Sequence, residues 1–334
     1  MKETIRTLAS HFVVKSGITA LGRRVGSYDG AIILYGHRVA DDNEGYLQGL
    51  KPEWLEEQLA YLSRHFHIMS LGALLDCFEQ SKPIPRRSVV LTFDDGFRDN
   101  YLNAFPLLKK YKIPATIFLV TGALDSGELP WSQRLGFYFQ NTNEAFLTHT
   151  LTDGECMPLG SPAERRAAYL KVKKPIGQME FSDRENRLSE LSDVLRVEAP
   201  KDRMMTWDMA REMMEGGMEM GAHTMSHPLL ANLSVEEARE EMVGSQVALK
   251  THLGLERPTF CFPGGSRNLE LIGVARELGF RSVFDSSPRL RVNSLANSDP
   301  FRLSRIGLPE APRVNLEAEL DGPFHRLRQG VVRI

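Results

Sequence analysis

Apolar positions along the chain alternate between two patterns. Short apolar runs over residues 31–35, 88–93 and 115–120 read as buried strands. Between them, apolar residues recur at helical spacing. Pro52 opens one such segment, with Leu55, Leu59, Leu62 and Phe66 on one face. A short strand is expected at Ile68 and Met69, and Ser70 is placed to cap a helix over 71–78. A further helix is expected near 100–111.

Beyond Thr206 the same rhythm returns with clear punctuation. Residues 207–215 read as a helix stopped by Gly216 and Gly217, and 218–222 as a strand. Ser234-Val-Glu-Glu237 is a capping-box signature for a helix that turns Val235, Ala238, Met242, Leu249 and Leu253 inward and ends at Gly254. Strands are expected over 259–262, 282–284 and 302–306, with a helix over 269–278. Alternating strands and helices imply a parallel barrel or a doubly wound sheet.

Between Asp125 and Asp202 the alternation fades. Charged helical fragments over 163–174 and 183–195 suggest a helical insertion on the rim of the core fold. The alternative is a substrate lid, with Trp131, Phe137 and Tyr138 as stacking faces. No internal repeat or low-complexity linker forces a second domain.

Candidate chemistry lies at the strand ends. Asp94 and Asp95 close the run Ser88-Val-Val-Leu-Thr-Phe-Asp-Asp-Gly96, placing two carboxylates where a strand leaves the core. Like charges held this close resist joint ionisation unless a cation intervenes. His223 and His227 can complete a metal site with them, two imidazoles and a carboxylate leaving room for water. Pro228 biases His227 away from helical dihedrals, so both histidines are expected on a strand-end loop.

These motifs resemble a known family. Thr92-Phe-Asp-Asp-Gly96, the His223 and His227 pair, and Phe260-Cys-Phe-Pro-Gly-Gly265 resemble the first three motifs of the polysaccharide deacetylases of carbohydrate esterase family 4, the NodB homology domain. The likeness is strongest to the circularly permuted branch that includes poly-N-acetylglucosamine deacetylases. In that branch the motif bearing the catalytic histidine precedes the Asp-Asp motif, and Ile32-Ile-Leu-Tyr-Gly-His-Arg-Val39 resembles it.

The resemblance implies an α/β fold, a distorted (β/α)7 barrel of NodB homology type with the helical insertion at about 125–202. Its catalytic domain would span 31–310, between an N-terminal helical extension over 1–30 and a C-terminal tail over 311–334. It further implies one divalent ion, expected to be zinc, on Asp95, His223 and His227. Asp94 would be the general base and His37 the acid. The Gly264 N–H, after Pro263, would hold the oxyanion, and Trp207 would sit near the substrate or anchor its helix. Three positions depart from the family pattern: Cys261 stands where many members have an arginine that orients the base, Gly36 where the branch commonly has tyrosine, and Gly264 where an aromatic residue is usual.

The implied activity is metal-dependent removal of N-acetyl groups from amino sugars of a polysaccharide or its lipid- or nucleotide-linked precursor. Hydrolysis of a small non-sugar amide and carbohydrate binding without catalysis are the alternatives. Composition agrees with one large soluble domain: 334 residues, 42% hydrophobic and 25% charged. A net charge of -2 gives no case for nucleic acid. Cys77, Cys156 and Cys261 lack paired spacing for a disulfide framework or a cysteine–metal knot.

The apolar stretch over 8–20 is broken by His11 and Lys15 without a cleavage signal, so the expected location is cytoplasmic, with peripheral contact to the inner membrane surface as a minor alternative. His65, His67, His149, His252 and His325 lack partner spacing and are assigned to surface or packing roles. Oligomeric state is left open.

Overall fold

The computed structural model describes residues 2–25, 28–152, 154–286 and 292–322. Seven parallel strands form its centre: β1 (Ala31–Gly36), β2 (Ser88–Phe93), β3 (Ala115–Leu119), β4 (Glu219–Ala222), β5 (Phe260–Cys261), β6 (Val283–Ser286) and β7 (Leu303–Gly307). Neighbours pair in the order β1-β7-β6-β5-β4-β3-β2, and β2 pairs back onto β1 from Ala31↔Ser88 to Gly36↔Phe93, which closes the ring. The two-residue strand His67–Ile68 adds to the start of β2. The expected seven-unit barrel is therefore present, with strand boundaries within about two residues of the sequence reading.

Strand alternation sorts side chains into two layers. Ala31, Ile33, Val90, Phe118, Cys261, Phe284 and Leu303 pack together in one cluster. Their neighbours in sequence, including Ile32, Leu34, Leu91, Ile117, Phe260 and Ile306, belong to a second cluster shared with the helices. By the same period of two, Thr92 and Asp94 continue the Val90 face, and Arg305 continues the Leu303 face. That register aims Asp94 and Arg305 at each other.

The local signals act as the sequence predicts. Ser70 accepts from the Ala73 N–H, and Ser234 and Glu237 form the full capping box of helix Val235–Leu253, which ends in a left-handed Gly254 at φ 70°. The helix expected near 100–111 opens with a π-helical turn, Asn100–Ala104, before helix Phe105–Tyr111. Its side-chain amide explains the position: Asn100 is buried and donates to the His37 carbonyl at 2.7 Å.

The insertion builds a small core of its own. Helices Trp131–Asn141, Pro162–Ile176 and Phe181–Leu195 and the hairpin Phe146–Thr148 with Cys156–Pro158 enclose Leu135, Phe139, Tyr169, Val172, Leu188 and Leu191. Trp131 and Tyr138 are buried and Phe137 is half-buried. Two of the three proposed stacking faces are thus packing residues. In the stretch expected as a tail, helix Arg313–Asp321 lies against the N-terminal helices, where Glu317 accepts from Thr19 and Arg23. Residues 323–334, and with them His325, lie outside the described residues. No helix among the described residues is long and apolar enough to cross a membrane.

Candidate functional site

Four strands deliver the candidate residues to one end of the barrel. Asp94 and Asp95 follow β2, His37 follows β1, His223 follows β4, and Pro263 and Gly264 follow β5. These are the carboxyl ends of parallel strands, where barrel proteins place their chemistry. The Asp94 N–H donates to the Gly36 carbonyl at 2.9 Å, and the His223 N–H to the Leu119 carbonyl at 2.9 Å, so strand pairing itself fixes both residues.

Asp95, His223 and His227 converge. The Nε2 atoms of His223 and His227 lie 3.4 and 3.2 Å from Asp95 Oδ1, and all three side chains are at least half-buried. His223 Nδ1 lies 2.7 Å from the Cys261 carbonyl. A carbonyl only accepts, so Nδ1 carries a proton and Nε2 is turned toward Asp95. A histidine ligand is commonly oriented in this way, by a backbone acceptor on its other nitrogen. Asp95 Oδ1 is buried without a hydrogen-bond partner. An orphaned carboxylate oxygen facing two imidazoles is the donor set a divalent cation requires, and the residues fit one.

Charge in the cluster follows from proximity. Burial would raise the Asp95 pKa, yet the two imidazoles hold it well below its ordinary value. Burial would lower that of His223, yet the neighbouring Cys261 and Asp95 side chains, with Asp94, push it well above 6.5.

The backbone is strained at the same place. Asp95, Thr224 and His227 are non-glycine residues at φ 74°, 69° and 60°. Such conformations cost about 1–3 kcal/mol each and persist where the surroundings impose them. The surroundings here are specific. Glu241 accepts from the Met225 and Ser226 N–H groups at 2.8 and 2.9 Å, and helix Thr121–Ser126 donates the Thr121 and Gly122 N–H groups to the Thr224 and Met225 carbonyls. The insertion adds two contacts: Trp131 Nε1 donates to the His227 carbonyl at 2.8 Å and Arg184 Nη2 to Ser226 Oγ at 2.8 Å.

Asp94 is held differently. Arg305 Nη1 reaches Oδ1 and Nη2 reaches Oδ2, both at 2.7 Å, and both residues are buried. Burial would raise the Asp94 pKa, but Arg305, with help from His223 and His37, keeps it below the ordinary value. Arg305 also lies 4.8 Å from the Tyr35 ring centre and 2.8 Å from Cys261 Sγ. It was not singled out in the sequence, where one arginine in a late strand carries no motif. Cys261 leaves the guanidinium role vacant on β5, and Arg305 fills it from β7.

His37 stands beside this group. Its ring meets Tyr35 edge-on at 5.7 Å. A small cleft of about 120 Å³ joins it to Phe93, Leu308 and Glu310. Gly264 occupies the left-handed region at φ 58° in a turn after β5, with Pro263 buried. Trp207 is not brought to the cluster: its indole donates to Asp125 at 2.7 Å and stacks on His252 at 4.3 Å. The aromatic residue in contact with the histidine loop is Trp131 instead.

A closed parallel barrel with a two-histidine, one-carboxylate centre at its carboxyl strand ends defines the class. The model of the polysaccharide deacetylase family matches residues 81–283, more than half the chain, and the protein belongs to that family. His37 and Arg305 both lie outside the matched residues. Poly-beta-1,6-N-acetyl-D-glucosamine N-deacetylase of Escherichia coli K12 is 30% identical over 90 residues, 26% of this chain and 13% of that protein. The Staphylococcus aureus (strain MSSA476) protein of the same name is 43% identical over 68 residues, 20% of this chain and 23% of that one. The matched stretches thus span under a quarter of these relatives. The fold is that of Streptococcus pyogenes deacetylase PplD in complex with acetate (TM-score 0.59, 19% identity, 87% of this chain and 98% of that one) and of IcaB from Ammonifex degensii (0.58, 20%, 88% and 98%).

Proposed function

We propose that the protein removes N-acetyl groups from amino sugars of a glycan or its carrier-linked precursor, with one divalent ion on Asp95, His223 and His227. Zinc is the expected ion. The observation that carries this reading is the buried, unpartnered Asp95 oxygen facing two imidazole nitrogens, with a second carboxylate fixed alongside by Arg305. Family membership and the N-deacetylase activity for which the matched relatives are named support the same chemistry.

When bound, a divalent ion supplies Lewis-acid stabilisation of the acetyl carbonyl and lowers the pKa of water toward about 7. The chain supplies the rest. Asp94, ionised and oriented by Arg305, accepts the proton of the attacking water. The Gly264 N–H donates to the developing oxyanion, and His37 protonates the departing sugar nitrogen. Positioned proton transfers of this kind contribute on the order of 10² to 10⁴ in rate each.

The test is acetate release from acetylated amino sugars, free and carrier-linked, by protein loaded with zinc, cobalt, nickel or iron. Release that stops on chelation and returns with metal is expected. No acetate from any of them would defeat the reading.

A further inference from the structure

The N-terminal helices Lys2–Lys15 and Ile18–Val25 are amphipathic in the reverse sense of an ordinary surface helix. Their polar residues face the body of the protein. Arg6 Nη2 donates to Glu319 at 3.1 Å, Thr7 Oγ1 accepts from the Asn315 amide at 3.1 Å, and Thr19 and Arg23 donate to Glu317 at 2.8 and 2.9 Å. Ser10 and Thr19 are buried, as are all three of these partners on helix Arg313–Asp321. Gly22 lies so close to that helix that an added Cβ would sit 2.0 Å from the Asp321 carbonyl oxygen. Among the described side chains of the pair, Val13 is the only large apolar one that is buried.

The other apolar residues point to water. Leu8, Phe12, Ile18 and Leu21 are 65, 71, 39 and 62% exposed. Leu8 and Phe12 are four positions apart and Ile18 and Leu21 three, so each pair shares one face of its helix. A helix that spends its polar side chains inside the protein and turns its apolar ones outward marks a contact surface.

Charge narrows the partner. This segment carries Lys2, Arg6, Lys15, Arg23 and Arg24 against one acid, Glu3, in a chain whose net charge is -2. Lys15, three residues after Phe12, is exposed, and Arg6 keeps 55% of its side chain exposed while it holds Glu319. A second copy of the chain would need a larger face: four side chains of this exposure cover on the order of 400 Å², half of the roughly 800 Å² that each partner buries in a stable dimer. Apolar side chains flanked by cations suit an anionic bilayer surface, where the apolar groups enter the headgroup boundary and the cations meet lipid phosphates. Neither helix is long and apolar enough to cross a membrane, so the pair would lie along its surface.

We infer that the two N-terminal helices form a docking face for anionic phospholipid, with Leu8, Phe12, Ile18 and Leu21 inserted and Arg6 and Lys15 at the headgroups. Asp321 accepts from Arg87, the residue before β2, and lies 3.8 Å from Arg23. Helix Ile18–Val25 therefore sits toward the amino ends of the strands, away from the carboxyl ends that carry Asp94 and Asp95. Docking would hold the protein at the bilayer and leave the candidate centre open to substrate.

Flotation of the full chain with lipid vesicles tests it, one set made of phosphatidylcholine alone and one of equal parts phosphatidylcholine and phosphatidylglycerol. Wild-type protein should bind the anionic vesicles at least about tenfold more tightly than the neutral ones, and added salt should weaken that binding. Leu8→Ser combined with Phe12→Ser should lower it by about tenfold or more, and Lys15→Glu should also weaken it. All three positions are exposed, so thermal unfolding should be unchanged. No binding, equal binding to both kinds of vesicle, or binding unmoved by the Leu8 and Phe12 substitutions would overturn the inference. Self-association without lipid that those substitutions abolish would overturn it too, by assigning the face to a second copy.

Discussion

Arg305 grips Asp94 through both carboxylate oxygens, across 211 residues of chain and from a different strand of the barrel. The pair keeps Asp94 charged in a site where burial alone would favour its protonated form. Arg305→Met should leave a buried carboxylate unpaired and destabilise the protein by about 3–5 kcal/mol, measured by denaturant unfolding.

The milder Arg305→Lys keeps a charge but loses the two-point geometry. The Asp94 pKa is depressed in the native protein, and base catalysis needs the ionised form, so activity falls as pH drops through that pKa. Weaker pairing raises it. The acid limb of the kcat/KM profile should therefore move to higher pH in Arg305→Lys. An unmoved limb would mean that Arg305 does not set the ionisation of the base.

Metal binding should release a proton. Without metal, the His223 pKa is pushed well above 6.5, so the ring holds its second proton near neutrality, and a cation must displace it. Zinc affinity should rise with pH through the neutral range. Calorimetry in buffers of different ionisation enthalpy should detect about one proton released near pH 7. Affinity independent of pH would contradict the arrangement.

Two tryptophans separate support of the site from support of the fold. Trp131→Phe removes the donor to the His227 carbonyl and should weaken metal binding by about tenfold. Trp207→Phe removes a bond to Asp125 and should lower stability by about 1 kcal/mol without changing metal affinity. A competition assay with a chromophoric chelator reads the first effect, thermal unfolding the second.

Gly264→Ala probes the oxyanion donor. An added Cβ would lie 3.1 Å from Leu229 Cδ2 at a φ of 58°, so the turn must shift. A loss of kcat of about 10²-fold or more with little change in KM is expected. A parallel rise in KM alone would assign Gly264 to binding.

Local chemistry made much of this legible in the sequence. The Ser234 and Glu237 capping box, the Pro52 helix start and the strand ending in Asp94 and Asp95 all depend on residues a few positions apart. The convergence of Asp95 with His223 and His227 required only that two strand ends face each other. Arg305 was invisible because its meaning comes from register: it points inward two residues after Leu303, and its partner lies on another strand. The sequence offers Trp131 as a sugar platform only under the lid alternative and leaves Trp207 between the substrate and its helix anchor, since an aromatic residue's type does not reveal which backbone carbonyl or carboxylate its N–H will find.

The most direct test measures metal content and acetate release together in wild-type protein and Asp94→Asn. Wild type should hold one divalent ion per chain and release acetate from N-acetylglucosamine oligomers, while Asp94→Asn should retain the ion and release none. Full acetate release by Asp94→Asn, or a wild-type protein that binds no divalent ion, would contradict the account.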